Sequence, residues 1–417
     1  MSILDEFFER ILNRRTVFRD KKYLSIDYVP DDLPHREEEI LRLANILASI
    51  IRGDRPSNVF EYGPVGTGKT VVTKLVIRKF HEKTSQLGIR FGFSYVNCRF
   101  YRTNYRALVK IARDTGLNIS KTGLPPDIII TAIMNRLEEK FDLFTIILDE
   151  IDWLVKYSGD DIIYQFTRLN EELKRSKVSI VGITNDIKFR EYLDARVLSS
   201  LSEEIVVFQP YNQEQLYDIL LQRAKMAFFE GCISDEAIRY AAILAARDGD
   251  ARRAIDLLRV AGEIADREGD IIVTAQHVQR ANMEVEKNII KEIIMTLPPN
   301  QQLLILSILY LHKIGDTKIT TGKVKKVFDD FMSRIGRPTV TLRRLNDYIA
   351  ELETLGIIST SVVSFGRYGR TRIIRLEVSA KPVEEYLRSE KIYDELLSER
   401  LVSTSLIRHR IDGPGGI

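Results

Sequence analysis

The most specific chemistry in the chain is carried by Gly63-Pro64-Val65-Gly66-Thr67-Gly68-Lys69-Thr70. The stretch fits G-x-x-x-x-G-K-[ST], a loop that cradles phosphate groups. Its glycines let the backbone curl so that N–H groups face inward around phosphate oxygens. Lys69 brings a cation to the outer phosphates, and the Thr70 hydroxyl suits Mg²⁺. A helix from Lys69 to about Phe80 aims its positive dipole end at the same place. The run Asn58 to Tyr62 ahead of it reads as a strand, and strand, loop and helix is the context the motif requires. All eight residues are candidate nucleotide-binding residues.

A second group of candidates lies downstream. Phe144-Thr-Ile-Ile-Leu148 is an apolar strand ending in Asp149 and Glu150. Behind a phosphate loop, an acid there holds Mg²⁺, and its neighbour orients or activates the attacking water. Asp149 takes the first role and Glu150 the second; Asp152 reads as a solvated neighbour. The next apolar strand ends in Asn185, placed to reach the γ-phosphate or the attacking water because ligands sit at strand ends in such sheets. The plainer role for Asn185 is a loop cap. Arg196 has two open readings: an arginine answering transition-state charge at a neighbouring subunit's nucleotide, or a surface salt bridge to Asp194 or Glu203. Arg252 opens a helix, where a cation is unfavourable without a phosphate partner. It is the preferred phosphate reader, with Arg253 the second choice.

These residues need a scaffold that brings strand ends together. From Asn58 to Phe208 strands and helices alternate, with strands expected at 58–62, 91–97, 143–148, 178–183 and 204–208. This is the rhythm of a doubly wound α/β fold with a mostly parallel sheet. Ahead of it, 1–15 reads as an amphipathic N-terminal arm, 28–36 as an extended loop and 37–51 as a helix. Between the second and third strands lie two helical segments, about 102–115 and 125–140, where a crossover needs only one. The extra element is an insertion at about 99–125. One helix, about 160–175, is expected between the third and fourth strands. Residues 210–296 read as an all-helical lid, opened by a capping box at Asn212 and Gln215. Leu297-Pro-Pro marks a boundary.

Residues 297–390 read as three helices (300–313, 322–334, 341–355) and two strands (357–364, 371–378), the pattern of a winged helix. A further helical stretch and a loose tail follow, to residue 417. Over 298–378 thirteen Lys/Arg face seven Asp/Glu, an excess of six, against +3 for the whole chain. On helix 341–355, Leu342, Leu345, Ile349, Leu352 and Leu355 form the buried stripe. Thr341, Arg343 and Arg344 at its start are candidates for the major groove, with Arg337 and Thr339 just before it. The wing tip carries Arg367, Tyr368, Arg370 and Arg372, which suit phosphates or the minor groove. A solvated or protein-binding wing is the alternative.

The chain has 417 residues, 44% hydrophobic and 29% charged, enough for two or three domains with sizeable cores. Its two cysteines, Cys98 and Cys232, argue against a disulfide framework or a zinc site. No apolar run reaches a membrane span, and Met1 to Arg15 has no secretory pattern. The expectation is a soluble cytoplasmic, chromosome-associated protein with no membrane partner.

In their order, these elements resemble the AAA+ ATPases. The insertion and the winged helix narrow the likeness to the archaeal replication initiators of the origin-recognition (Orc/Cdc) family. Leu33-Pro-His-Arg-Glu37, Tyr62 to Thr70 and Gly249 to Leu258 are especially similar. The resemblance implies that Tyr28, Val29 and Arg36 line the adenine side of the nucleotide, and Tyr211 is counted with them. It implies that the insertion touches DNA, through Arg99, Arg102, Arg106 and Lys121. It also implies ATP or ADP with Mg²⁺, slow turnover, double-stranded origin DNA, related initiator protomers and a replicative helicase to be loaded. The function expected is an ATP-dependent origin-recognition switch. The alternative is a branch-migration type of DNA motor, which usually inserts a β-hairpin before the polar strand end. Residues 152–177 give no hairpin signal. A regulator using only the wing leaves Lys69, Thr70, Asp149 and Glu150 unexplained.

Overall fold

A computed structural model describes residues 4–5, 15–120, 123–201, 203–364 and 370–398. The expected arm at 1–15 and the tail beyond 398 lie outside these residues but for positions 4, 5 and 15, as do Lys121, Arg367 and Tyr368. The chain divides into two compact units, residues 1–281 and 282–417.

The first unit is built on five parallel strands: β1 (Asn58–Tyr62), β2 (Phe91–Asn97), β3 (Leu143–Asp149), β4 (Lys177–Thr184) and β5 (Glu203–Val207), in the order β2-β3-β4-β1-β5. Alternation along the strands sends Phe60, Ile146, Leu148 and Ile180 to one face. Val59, Ile147, Val181 and Ile183 go to the other, against α1 (Glu37–Leu47) and α2 (Lys69–Gln86). Both faces are covered, so the central strands are mostly apolar, with Glu61, Thr145 and Ser179 as buried polar exceptions. The register pairs Asn97 with Asp149, Asp149 with Ile183, and Tyr62 with Thr184. The carboxyl ends of four strands therefore meet at one edge, which is where the chemistry collects.

Two helices, α3 (Asn104–Asp114) and α4 (Pro126–Lys140), fill the connection from β2 to β3. Two more, α5 (Ile151–Ser158) and α6 (Asp161–Glu172), lie between β3 and β4, where the sequence suggests one. The extra helix starts directly from Glu150, and Gly159 at φ 75° separates it from the next. Among the described residues this segment contains no hairpin. The expected helix 37–51 stops at Leu47 and tightens into a 3₁₀ turn over Ala48–Arg52, closed by Gly53 at φ 77°.

After a short α7 (Ala195–Leu201), the lid comprises α8 (Gln213–Ala227), α9 (Asp235–Ala246), α10 (Ala251–Glu268) and α11 (Ala275–Thr296). Its starts are capped by side chains: Asn212 with Gln215 in a reciprocal box, Ser234 on Ala237, and Asp250 on Arg252 and Arg253. The second unit begins within α11. It holds α12 (Pro299–Lys313), α13 (Thr321–Arg334), α14 (Leu342–Thr354), the antiparallel pair β6 (Ile358–Ser364) and β7 (Arg370–Leu376), α15 (Ala380–Ser389) and α16 (Lys391–Ser398). Leu304, Ile308, Phe328, Phe331, Leu345, Ile349, Leu352 and Ile374 make its core. This is a winged helix. Of the stripe expected on α14, Leu342 and Leu355 are exposed, because they stand at the helix ends; Tyr348 is buried in their stead. No described helix is long and apolar enough to cross a membrane.

Candidate functional site

A cleft of about 300 Å³ opens at the carboxyl edge of the sheet, beneath the lid. Its floor is Val65 to Thr70. Gly66 and Gly68 take φ of 75° and 96°, values that only glycine adopts without strain. Gly63 lies so close to the Phe208 carbonyl that a Cβ would stand 2.4 Å from it. Gly63 and Pro64 shape the loop without lining the cleft. Their carbonyls accept hydrogen bonds from the Lys69 ammonium, both at 2.6 Å. Burial pushes the Lys69 amine down to about 8, against the pull of Asp149 and Glu61.

Asp149 and Thr70 meet. The threonine hydroxyl donates to Asp149 Oδ2 at 2.9 Å, and the Tyr95 hydroxyl donates to the same oxygen at 2.6 Å. A hydroxyl and a carboxylate side by side are the hard oxygen donors that Mg²⁺ prefers. Glu150 is one of two non-glycine residues with positive φ among those described, at 55°. This left-handed turn lets the chain pass from β3 into α5 while the side chain stays in the cleft. Its Oε2 is buried with no hydrogen-bond partner. Burial, then the neighbouring Asp149, raises its pKa above the usual carboxylate value. A buried carboxylate oxygen without a donor has room to accept one from water. Asn185 also lines the cleft. The loop after it is held by others: Thr184 Oγ1 accepts from the Asp186 amide, and Asp186 accepts from the Lys188 amide. Asp152 is not solvated as the sequence suggests. It is buried in the first turn of α5, accepting from the Thr184 hydroxyl at the end of β4 at 2.9 Å.

The lid closes the far wall. Ala251, the first residue of α10, donates its amide to the Gly66 carbonyl at 3.1 Å. Arg252 lines the cleft, whereas Arg253 turns away to Asp248 at 2.7 Å. Tyr28, Val29 and Tyr211 line the cleft as well. Arg36 is placed differently from expectation. It is buried behind the loop, donating to the carbonyls of Thr67 (2.9 Å) and Gln209 (2.6 Å), pairing with Glu39 at 2.7 Å, and lying 3.9 Å over the Tyr211 ring. It buttresses the loop from outside the cleft. Arg196 is exposed and bonded to Asp194 at 3.0 Å, the plainer of its two readings within one chain.

Sequence reasoning missed Tyr95, Asn97 and Arg223, all of which line the cleft. Arg223, on α8, is buried and donates to the carbonyls of Tyr23 (3.1 Å) and Tyr28 (3.4 Å), its guanidinium 4.8 Å from the Tyr28 ring centroid. No spacing rule singles out an arginine whose partners lie some two hundred residues away.

Two basic surfaces carry the remaining candidates. In the winged helix, Thr341 caps α14 by accepting from the Arg344 amide at 3.3 Å. Arg337, Thr339, Thr341, Arg343 and Arg344 are exposed, and Arg344 lies 4.8 Å from the Tyr348 ring centroid. Arg372 is exposed on β7, which Arg370 opens. In the insertion, Arg99, Arg102 and Arg106 are exposed. Arg99 and Arg102 lie over the Trp153 ring at 5.6 and 5.5 Å, and Arg102 lies 5.5 Å from Tyr157.

Comparison with known proteins adds family matches along the chain: an AAA domain over residues 53–193, a Cdc6 AAA+ ATPase-type lid domain over 217–283, and a CDC6 C-terminal winged helix domain over 292–386. The chain is similar to the ORC1-type DNA replication protein of Pyrococcus furiosus, 46% identical over 405 residues that cover 96% of each chain. It is 47% identical to the ORC1-type DNA replication protein 1 of Sulfurisphaera tokodaii over 382 residues, 91% of this chain and 95% of that one. Among solved structures, the Aeropyrum pernix ORC1 protein in complex with DNA matches with a TM-score of 0.80 and 43% identity, covering 91% of this chain and 98% of that one.

Proposed function

The chain belongs to the archaeal ORC1-type/Cdc6 family of DNA replication initiators, and from that premise we propose that it is an origin-binding switch set by ATP and ADP. The observation that carries the reading is the hydrogen bond from the lid amide of Ala251 to the phosphate-loop carbonyl of Gly66, with Arg252 lining the same cleft as Lys69 and Asp149. Occupancy of the loop and placement of the lid are thereby one variable. A nucleotide that bonds differently to loop and lid in its two phosphorylation states shifts the lid by its differential affinity.

In this reading the loop amides and Lys69 bind the phosphates, and Tyr28, Val29 and Tyr211 bound the base end. Thr70 and Asp149 would hold Mg²⁺, which when bound neutralises phosphate charge. Glu150 orients the attacking water from its unpartnered oxygen, Asn185 supports that water or the γ-phosphate, and Arg252 reads the phosphates from the lid. Hydrolysis is slow and resets the switch. The partners are double-stranded origin DNA, met by the Thr339–Arg344 region, the wing and the Arg99–Arg106 surface, together with related initiator protomers and a replicative helicase. Arg196 would serve a neighbouring protomer's nucleotide by exchanging Asp194 for phosphate. Chromosome association follows from the DNA contacts. Lys69→Ala tests the division of labour: nucleotide binding is lost while most DNA affinity persists. Loss of both together contradicts it.

A further inference from the structure

The placement of Arg99 and Arg102 over the Trp153 ring joins the proposed DNA surface of the insertion to the hydrolytic end of the cleft by two short routes. The first runs through α5. Trp153 stands in its first turn and donates its own amide to the Glu150 carbonyl at 3.0 Å. The second runs through the end of β2. Asn97 lines the cleft, pairs in register with Asp149, and accepts the backbone amide of Arg99 at 3.0 Å through its side-chain oxygen. The Arg102 guanidinium in turn donates to the Arg99 carbonyl at 2.8 Å. The turn carrying both arginines is thus anchored at the cleft, and the arginines rest on a ring whose backbone is bonded to Glu150.

We propose that Trp153 transmits DNA engagement by Arg99 and Arg102 to Glu150, making it a positioning residue for hydrolysis. A guanidinium stacked on an aromatic face offers its edge to other partners. A DNA phosphate that takes this edge pulls in the plane of the group and changes the stack. The displaced or reoriented ring moves the first turn of α5, and Glu150, held in a left-handed backbone conformation at the start of that helix, moves with it. DNA bound at the insertion therefore alters ATP turnover without touching the nucleotide. The inference rests on the proposed DNA contact at the insertion.

Trp153 is the single tryptophan of the chain, so its emission reports the stack in the unaltered protein. The full-length protein is titrated twice with the same duplex. One titration follows the anisotropy of a labelled duplex, and the other follows Trp153 emission with an unlabelled one. The emission is expected to shift and to saturate at the DNA concentration where anisotropy saturates. Turnover of ATP is then measured with and without saturating duplex. The ratio is expected to differ from one in the wild type, to persist in Trp153→Phe, and to fall to one in Trp153→Ala. Binding seen by anisotropy with unchanged Trp153 emission would overturn the inference and leave DNA binding intact. A wild-type turnover ratio of one, or a ratio that survives in Trp153→Ala, would overturn it equally. No anisotropy change at all would instead remove the DNA reading on which the inference stands.

Discussion

The amide of Ala251 is hydrogen-bonded to the carbonyl of Gly66 at 3.1 Å, so the lid touches the phosphate loop backbone to backbone. The contact is possible only because residue 66 has no side chain. Gly66 sits at φ 75°, and a Cβ there would stand 1.7 Å from Asp250 Oδ1, the atom that caps the lid helix. Gly66→Ala should therefore weaken ADP binding by at least about tenfold, on the order of 1.4 kcal/mol, with the circular dichroism spectrum unchanged. Isothermal titration checks it; wild-type affinity would mean that the loop and lid do not need this approach.

Arg36 supports the loop from behind. Its loss leaves the carbonyls of Thr67 and Gln209 and the carboxylate of Glu39 without their donor in a buried setting. Breaking such a buried pair costs about 3–5 kcal/mol. Arg36→Met should lower the stability of the first unit by about that amount and weaken nucleotide binding as the loop loosens. Denaturant unfolding of both proteins gives the first number and titration the second.

Glu61 makes stability depend on pH. It is fully buried on β1, with the Thr73 hydroxyl donating to it at 2.7 Å, and burial pushes its pKa up to about 8 from an ordinary 4.5. Between those values the folded state keeps a proton that the unfolded chain has released. Its contribution is therefore fully present below about 4.5 and is lost as the pH rises to about 8. The slope for one proton is about 1.4 kcal/mol per pH unit. Glu61→Gln should flatten the fall in unfolding free energy across that window. An unchanged slope would show that Glu61 ionises normally.

Much of the fold was legible because its signals are local. Apolar runs announced the central strands, the capping box at Asn212 and Gln215 announced the lid, and Lys69, Thr70, Asp149, Glu150, Asn185 and Arg252 line one cleft. What escaped depends on neighbours distant in sequence. Asp152 reads as solvated until β4 brings Thr184 against it. Arg36 reads as a cleft residue until the turn at Gln209 claims its guanidinium from behind. The helix α5 was missed because its eight residues begin at a left-handed glutamate rather than at a recognisable cap. Tyr95 and Arg223 carry no spacing signature, and only the sheet register and the lid bring them to the cleft.

Arg343 stands exposed in the first turn of α14, after the Thr341 cap. A base contact from this position predicts that Arg343→Ala costs about 1–3 kcal/mol on a preferred duplex and little on random sequence. Equal losses on both, with the salt slope reduced by about 0.9, would instead make it a phosphate contact.

Nuclease footprinting on genomic fragments in the presence of ADP and of ATP tests whether this chain is an origin-recognising switch. Discrete protected sites are expected beside a replication start, with local distortion of the duplex that differs between the two nucleotides. Uniform coverage of the fragments, indifferent to nucleotide, would contradict it.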